Sequence, residues 1–152
     1  MAFALRLSPL FFARRRARPR FLDARAGGAA VEFAIIGPML LILLSGIFTY
    51  GGYFLTAHTV QQITNDAARA ALAGLDDEER AALARESAQG GVRGQAFMRG
   101  ELTQVAVSRD GAALSIAVTY DASEDMYWAF QALLPVPSPE ISRRATIRLG
   151  GF

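Results

Sequence analysis

Seven consecutive residues, Gly27-Gly28-Ala29-Ala30-Val31-Glu32-Phe33, hold the chain's best prospect of chemistry. Paired glycines favour extended, accessible backbone, the form a protease needs. Small and apolar residues follow, and then a single carboxylate. Directly after it, Phe33 to Ala57 runs 25 residues without a formal charge. Glu32 therefore stands at the edge of a long apolar segment, where an ionised carboxylate is costly without a partner. The arrangement offers backbone cleavage at Gly27 and Gly28, and pairing of the Glu32 charge with a cation. A plainer role for Glu32 is that of an acid in a helix's first turn, favoured by the helix dipole. Position alone does not separate the two.

Other candidates for chemistry are weaker. The chain has no cysteine, which excludes disulfides and cysteine-ligated metals. His58 is the single histidine and stands just past the apolar run, without the acids or serines of a catalytic triad around it. Asp76-Asp77-Glu78-Glu79 gathers four acids, but neighbouring positions on a helix point around it rather than converging. Their sequence role is to open a helix against its positive end. No cofactor is expected, and no enzymatic activity.

The elements that position these residues follow from charge and hydropathy. At about 1.5 Å per residue, Phe33–Ala57 makes a helix of roughly 38 Å, enough to cross a hydrocarbon core of about 30 Å. Residues 1–27 carry seven arginines against Asp23, a net of +6, while the remainder carries nine arginines against thirteen acids, a net of −4. A basic flank before an apolar span marks the cytoplasmic side. The expected topology is single-pass, with the N-terminus cytoplasmic and the C-terminal domain across the membrane, which in a bacterium means the periplasm or the outside. Arginine-rich residues with nearby Phe11, Phe12 and Phe21 also suit nucleic acid, but a topology signal explains them without such a partner, and none is expected. The apolar run is too long for the core of a secretory signal peptide, and Leu55-Thr56-Ala57-His58 is a poor small-residue cleavage site.

Within the span, Pro38 removes a helix hydrogen bond and is expected to kink or loosen the helix. Gly46, Gly51 and Gly52 offer small surfaces for close helix approach, or are simply ordinary membrane-helix residues. The stretch GGAAVEFAIIGPMLLILLSGIFTYGGYF resembles the start of TadE-like proteins, the pseudopilins of tight-adherence (Tad) pilus systems. The resemblance rests on Gly27, Ala29, Ala30, Val31, Glu32, Phe33, Ala34, Pro38, the leucine-rich run Leu40–Leu44 and Tyr50-Gly51. It is strong over residues 26–73 and diffuse beyond.

The resemblance implies cleavage between Gly27 and Gly28 by a prepilin-type peptidase. Glu32 then becomes the fifth residue and Phe33 the sixth of a 125-residue chain. In pilin-like assembly the fifth-residue carboxylate is thought to pair with a free N-terminal amine. At an effective dielectric of about 20, two unit charges about 4 Å apart attract by ~4 kcal/mol before desolvation is subtracted. The partners implied are the peptidase, other Tad pseudopilins and pilus machinery, and inner-membrane lipid. The function implied is minor-pseudopilin work in building a Flp-type pilus. The competing reading is a signal-anchored periplasmic protein that binds envelope components and has no pilus role.

Beyond the span the chain reads as a small α+β domain. Val60, Ile63, Ala67, Ala70 and Ala71 continue the helix as an apolar stripe that Gly74 ends. A second, short helix runs from the acids to about Ser87, where Gly90-Gly91 and Gly94 are expected to break it. Leu102–Ser108 and Leu114–Tyr120 alternate as strands about an Asp110-Gly111 turn. Ile141–Leu149 makes a third strand, with Arg143 the exception on its apolar face. The expected fold is therefore a long N-terminal transmembrane helix continuing as a spine, then a short helix and an approximately three-stranded antiparallel sheet. Its divisions are a basic leader (1–27), the spanning and spine helix (28–73) and the extracytoplasmic domain (74–152). Between the last two strands, DMYWAFQALL is a short amphipathic helix or a membrane-facing loop. Its Tyr127, Trp128 and Phe130 are either core filling or a contact surface for a partner.

Overall fold

A computed structural model of the chain describes residues 24–149. The expectations for residues 1–23, the greater part of the basic leader, lie outside the described residues. The chain divides into two units, Met1–Gly37 and Pro38–Phe152. In the first, the described residues belong to the helix α1, assigned as Ala24–Ala71. The second holds the rest of α1, then α2 (Asp77–Arg93), a 3-10 turn (Gly100–Leu102), β1 (Thr103–Asp110), β2 (Ala113–Asp121), a second 3-10 turn (Met126–Phe130) and β3 (Glu140–Arg148). This is the α+β fold expected, with a long apolar N-terminal helix followed by a short helix and a three-stranded antiparallel sheet.

The sheet is a meander in the order β1-β2-β3. Its alternation sorts side chains cleanly. Leu114, Ile116, Val118 and Tyr120 of β2 are all buried, and the register sets Val107 and Ala145 on either side of Ile116, and Thr103 and Ile141 on either side of Tyr120. Arg143 takes an inward position beside Val118, and its guanidinium turns aside to donate to the Ser142 carbonyl at 2.9 Å. The opposite face carries hydroxyl pairs, Ser115 with Thr146 at 2.8 Å and Thr119 with Ser142 at 3.0 Å. Between β1 and β2, Gly111 takes φ +56°. Glycine reaches this left-handed region without the steric cost of a Cβ, so the two-residue turn closes there.

The spine half of α1 covers the inner face of this sheet. Ala57, Val60, Ile63, Thr64, Ala67, Ala68 and Ala71 are buried at spacings of three and four residues, as one face of a helix requires. Thr64 satisfies its hydroxyl by donating to the Val60 carbonyl at 2.7 Å. Ala84, Ala88 and Val92 of α2 complete the same core.

Two local expectations change. α2 does not stop near Ser87 but continues through Gly90 and Gly91 to Arg93. The reason is packing. A Cβ on Gly91 would come within 2.9 Å of the Ile63 side chain, so the absent side chain lets the two helices approach. The paired glycines at 27 and 28, expected in extended backbone, lie within α1.

Candidate functional site

The start of the apolar run keeps its side chains free. Gly27, Gly28 and Glu32 are exposed, and a Cβ built on either glycine would meet nothing within 4 Å. Glu32 has no ion-pair partner among the described residues. Phe33 is 76% exposed, and its ring lies over Gly37 one turn on, 3.6 Å from where a Cβ would stand. Pro38 sits inside α1. A carboxylate alone on an apolar helix can pair a cation that arrives from outside the chain. A helical Gly-Gly can serve a protease once locally unwound, and glycine weakens a helix by about 1 kcal/mol per residue relative to alanine.

The helix Gly27–Ala71 is long and apolar enough to cross a membrane, with a window of mean hydropathy 2.2 that has none of its residues buried. Val31, Ile35, Ile36, Met39, Leu41, Leu43 and Ile47 are all at least 60% exposed. Such a surface is unstable in water and ordinary in lipid. Two hydroxyls of the helix turn to its own backbone, Ser45 to the Leu41 carbonyl at 2.7 Å and Thr59 to the Leu55 carbonyl at 2.9 Å.

A second constellation forms where the segment between β2 and β3 lies along α1. Tyr127 and Trp128, set beforehand between core filling and partner contact, are buried. The Tyr127 ring fills the space over Gly52, where any Cβ would fall 2.5 Å from it. Its hydroxyl donates to the Thr56 Oγ1 at 3.2 Å. Trp128 meets Tyr53 edge to face at a centroid separation of 6.5 Å, and Phe130 meets Phe48 likewise at 6.1 Å. Tyr50 donates its hydroxyl to the Pro135 carbonyl. Aromatic pairs of this geometry contribute about 0.5–1.5 kcal/mol each beyond area burial. Gly52, read from the sequence as a small surface for another helix, instead receives an aromatic ring, and Thr56 is the residue sequence reasoning missed. Only the bulk of Tyr127, 75 positions away, gives Gly52 its role.

Electrostatics secure the other end of this segment. Tyr120 donates to the Asp125 Oδ1 at 3.0 Å, and burial together with that carboxylate pushes its pKa up to about 12. Burial likewise pushes Tyr127 up, so both phenols stay neutral at physiological pH. Arg99 reaches Glu124 through its side chain at 2.5 Å and its backbone carbonyl at 3.2 Å. The Glu124 carboxylate raises the Arg99 pKa. Between these groups and α1 lies an apolar groove of about 680 Å³, floored by Ile47, Phe48, Gly51 and Leu55 and walled by Phe97 and Met126.

The four acids have structural work. Asp76 caps α2 by accepting from the Glu79 amide at 2.8 Å, and Glu79 accepts from the Leu75 amide at 2.7 Å, a reciprocal cap. Asp77 pairs with Arg80 at 3.3 Å and with Arg109 at the end of β1. Among the described residues no three acids or histidines converge as a metal site. His58 is exposed on α1.

Comparison with known proteins places one segment. Residues 27–69 match the family model described as TadE-like protein, so the resemblance drawn from the start of the span holds over that stretch. No curated protein and no solved structure matches the chain.

Proposed function

We propose that this chain is a TadE-like pseudopilin, a non-enzymatic membrane-anchored subunit that acts in assembly of a tight-adherence, Flp-type pilus after removal of its basic leader between Gly27 and Gly28. The observation that carries this reading is where the family match begins. It opens at Gly27, and the single carboxylate at the edge of the apolar run follows five residues later. Cleavage there places a new amine and the Glu32 carboxylate on one short stretch of helix. Either can then neutralise a counterpart in this chain or in a neighbour before apolar helices bundle together. Phe33 and the exposed residues that follow present the surface other helices would meet, and Pro38 sets where that surface loses a hydrogen bond. In this reading the anchored chain lies in the bacterial inner membrane, its leader cytoplasmic and its sheet domain periplasmic.

The test is intact mass of the membrane-extracted protein, made with and without a co-expressed prepilin-type peptidase. The expected result is a species beginning at Gly28 only when the peptidase is present, and none from a Gly27→Leu variant. Glu32→Ala should then leave membrane insertion intact while piliation falls. An uncut chain beside a peptidase shown active on another substrate would leave a signal-anchored envelope protein, with Glu32 returned to a helix-start acid.

A further inference from the structure

The apolar underside of the sheet domain has no role in charge pairing or cleavage. Met126 is 79% exposed and Leu133 67%, although they flank Tyr127 and Trp128, which the core holds. Their exposure is therefore a property of a fixed turn. Met126 lines the groove described above together with Phe48, Leu55 and Phe97, all exposed. An apolar surface of this extent marks an interaction site in a soluble domain.

Covalent continuity identifies what meets it. The groove's floor is α1 itself, through Ile47, Phe48, Gly51 and Leu55. These residues belong to the same uncharged run that we read as crossing the bilayer. That run is roughly 38 Å long against a hydrocarbon core of about 30 Å. With Glu32 held at one boundary, the surplus falls on its last five or so residues, where the interfacial layer begins. Tyr53, against which Trp128 packs, lies at that depth. Tyrosine favours this level because its ring is apolar and its hydroxyl finds water or headgroups, and the half-buried Tyr53 suits it, while Trp128 beside it belongs to the core. The charged residues of the groove stand together. Arg99 is paired with Glu124, and Asp125 lines the same groove. Asp125 is held inward by Tyr120, so the exposed pair of Arg99 and Glu124 is what complements a zwitterionic phospholipid headgroup, phosphate toward Arg99 and ammonium toward Glu124.

We propose that Met126–Leu134 and the groove it forms with α1 are a lipid-binding seat, in which Met126 and Leu133 enter the interfacial layer, the groove takes acyl chain, and Arg99 with Glu124 meets the headgroup. The proposal rests on the reading of α1 as a membrane span and not on pilus assembly. It fixes the domain against the bilayer instead of leaving it to swing on a stalk.

The chain supplies its own probe, because Trp128 is the sole tryptophan. The full chain is reconstituted into vesicles of phosphatidylethanolamine and phosphatidylglycerol whose acyl chains carry bromine at a shallow or a deep position. Trp128 emission should be lost more to shallow than to deep bromines. The absence of native cysteine allows single-cysteine variants labelled with a polarity-sensitive dye. Met126→Cys and Leu133→Cys should shift to the blue on reconstitution. Ser115→Cys on the outer sheet face should not. Leu40→Cys, about 12 Å along the helix from Glu32, separates the two premises. If deep bromines quench its label while Trp128, Met126→Cys and Leu133→Cys stay unchanged, the helix spans and the lipid seat is overturned. If Leu40→Cys is also unquenched, the span reading has failed and the seat falls with it. Crosslinking between copies through Met126→Cys, with no blue shift, would assign the groove to a second copy and overturn the lipid proposal.

Discussion

Tyr120 shows how much one buried hydroxyl contributes to holding this domain's irregular segment. It is fully buried at the end of β2 and donates to Asp125, which opens the turn that carries Tyr127 and Trp128. Burial and the neighbouring carboxylate both disfavour phenolate, so its pKa rises to about 12 in the folded chain against about 10 when unfolded. Between those values the unfolded chain gives up a proton that the folded chain keeps. Stability therefore stands in full below about pH 10 and falls as pH rises toward 12. Tyr127, shifted in the same direction by burial, steepens the fall. Thermal unfolding in detergent, followed by Trp128 emission across pH 8 to 12, should show this alkaline loss. Tyr120→Phe should lower the neutral-pH midpoint, since Asp125 loses a donor, and should flatten the alkaline slope. A slope unchanged in Tyr120→Phe would remove Tyr120 as its source.

At the scale of elements, the two glycines of α2 make opposite predictions from identical local sequence. Both sit inside a helix, where glycine costs about 1 kcal/mol relative to alanine. A Cβ on Gly90 meets nothing within 4 Å, whereas one on Gly91 reaches 2.9 Å from the Ile63 Cγ1. Gly90→Ala should therefore stabilise the domain by about 1 kcal/mol. Gly91→Ala should destabilise it by about 1–3 kcal/mol, as overpacking of a filled interface does. Chemical denaturation of the pair measures both, and two changes of the same sign would refute the packing account. The same contact explains why the end of α2 was not legible in the sequence. A glycine pair reads as a helix stop, and the tertiary partner that makes Gly91 necessary lies 28 positions earlier. The strands were legible because their signal is local: Leu114, Ile116, Val118 and Tyr120 alternate without interruption, and all are buried. Even the misfit Arg143 was readable from that alternation.

At the scale of the molecule, one helix serves two solvents, and the sequence shows the change more clearly than the point where the domain takes hold. The uncharged run and its lone Glu32 are visible in the residue types. The grip of the domain on α1 at Thr49–Thr56 is not, because it depends on Tyr127, Trp128 and Phe130 arriving from a segment that lacks periodicity. Gly52 and Thr56 look like ordinary residues of a membrane helix until Tyr127 is set over one and hydrogen-bonded to the other. It follows that the folded domain begins inside the apolar run, about two and a half turns before its end, rather than at the first polar residue. Two shortened chains in mild detergent test this. A chain beginning at Ser45 keeps Phe48, Tyr50, Gly52, Tyr53 and Thr56, and should retain the near-ultraviolet dichroism and blue emission of Trp128. A chain beginning at Thr59 keeps the polar half of the spine and all three strands but loses every aromatic partner of that segment on α1. Its sheet should persist in the far ultraviolet while Trp128 emission moves to the red and its near-ultraviolet signal collapses. Identical Trp128 spectra from the two would mean that the segment packs on the sheet alone, and would move the domain's start back to the end of the apolar run.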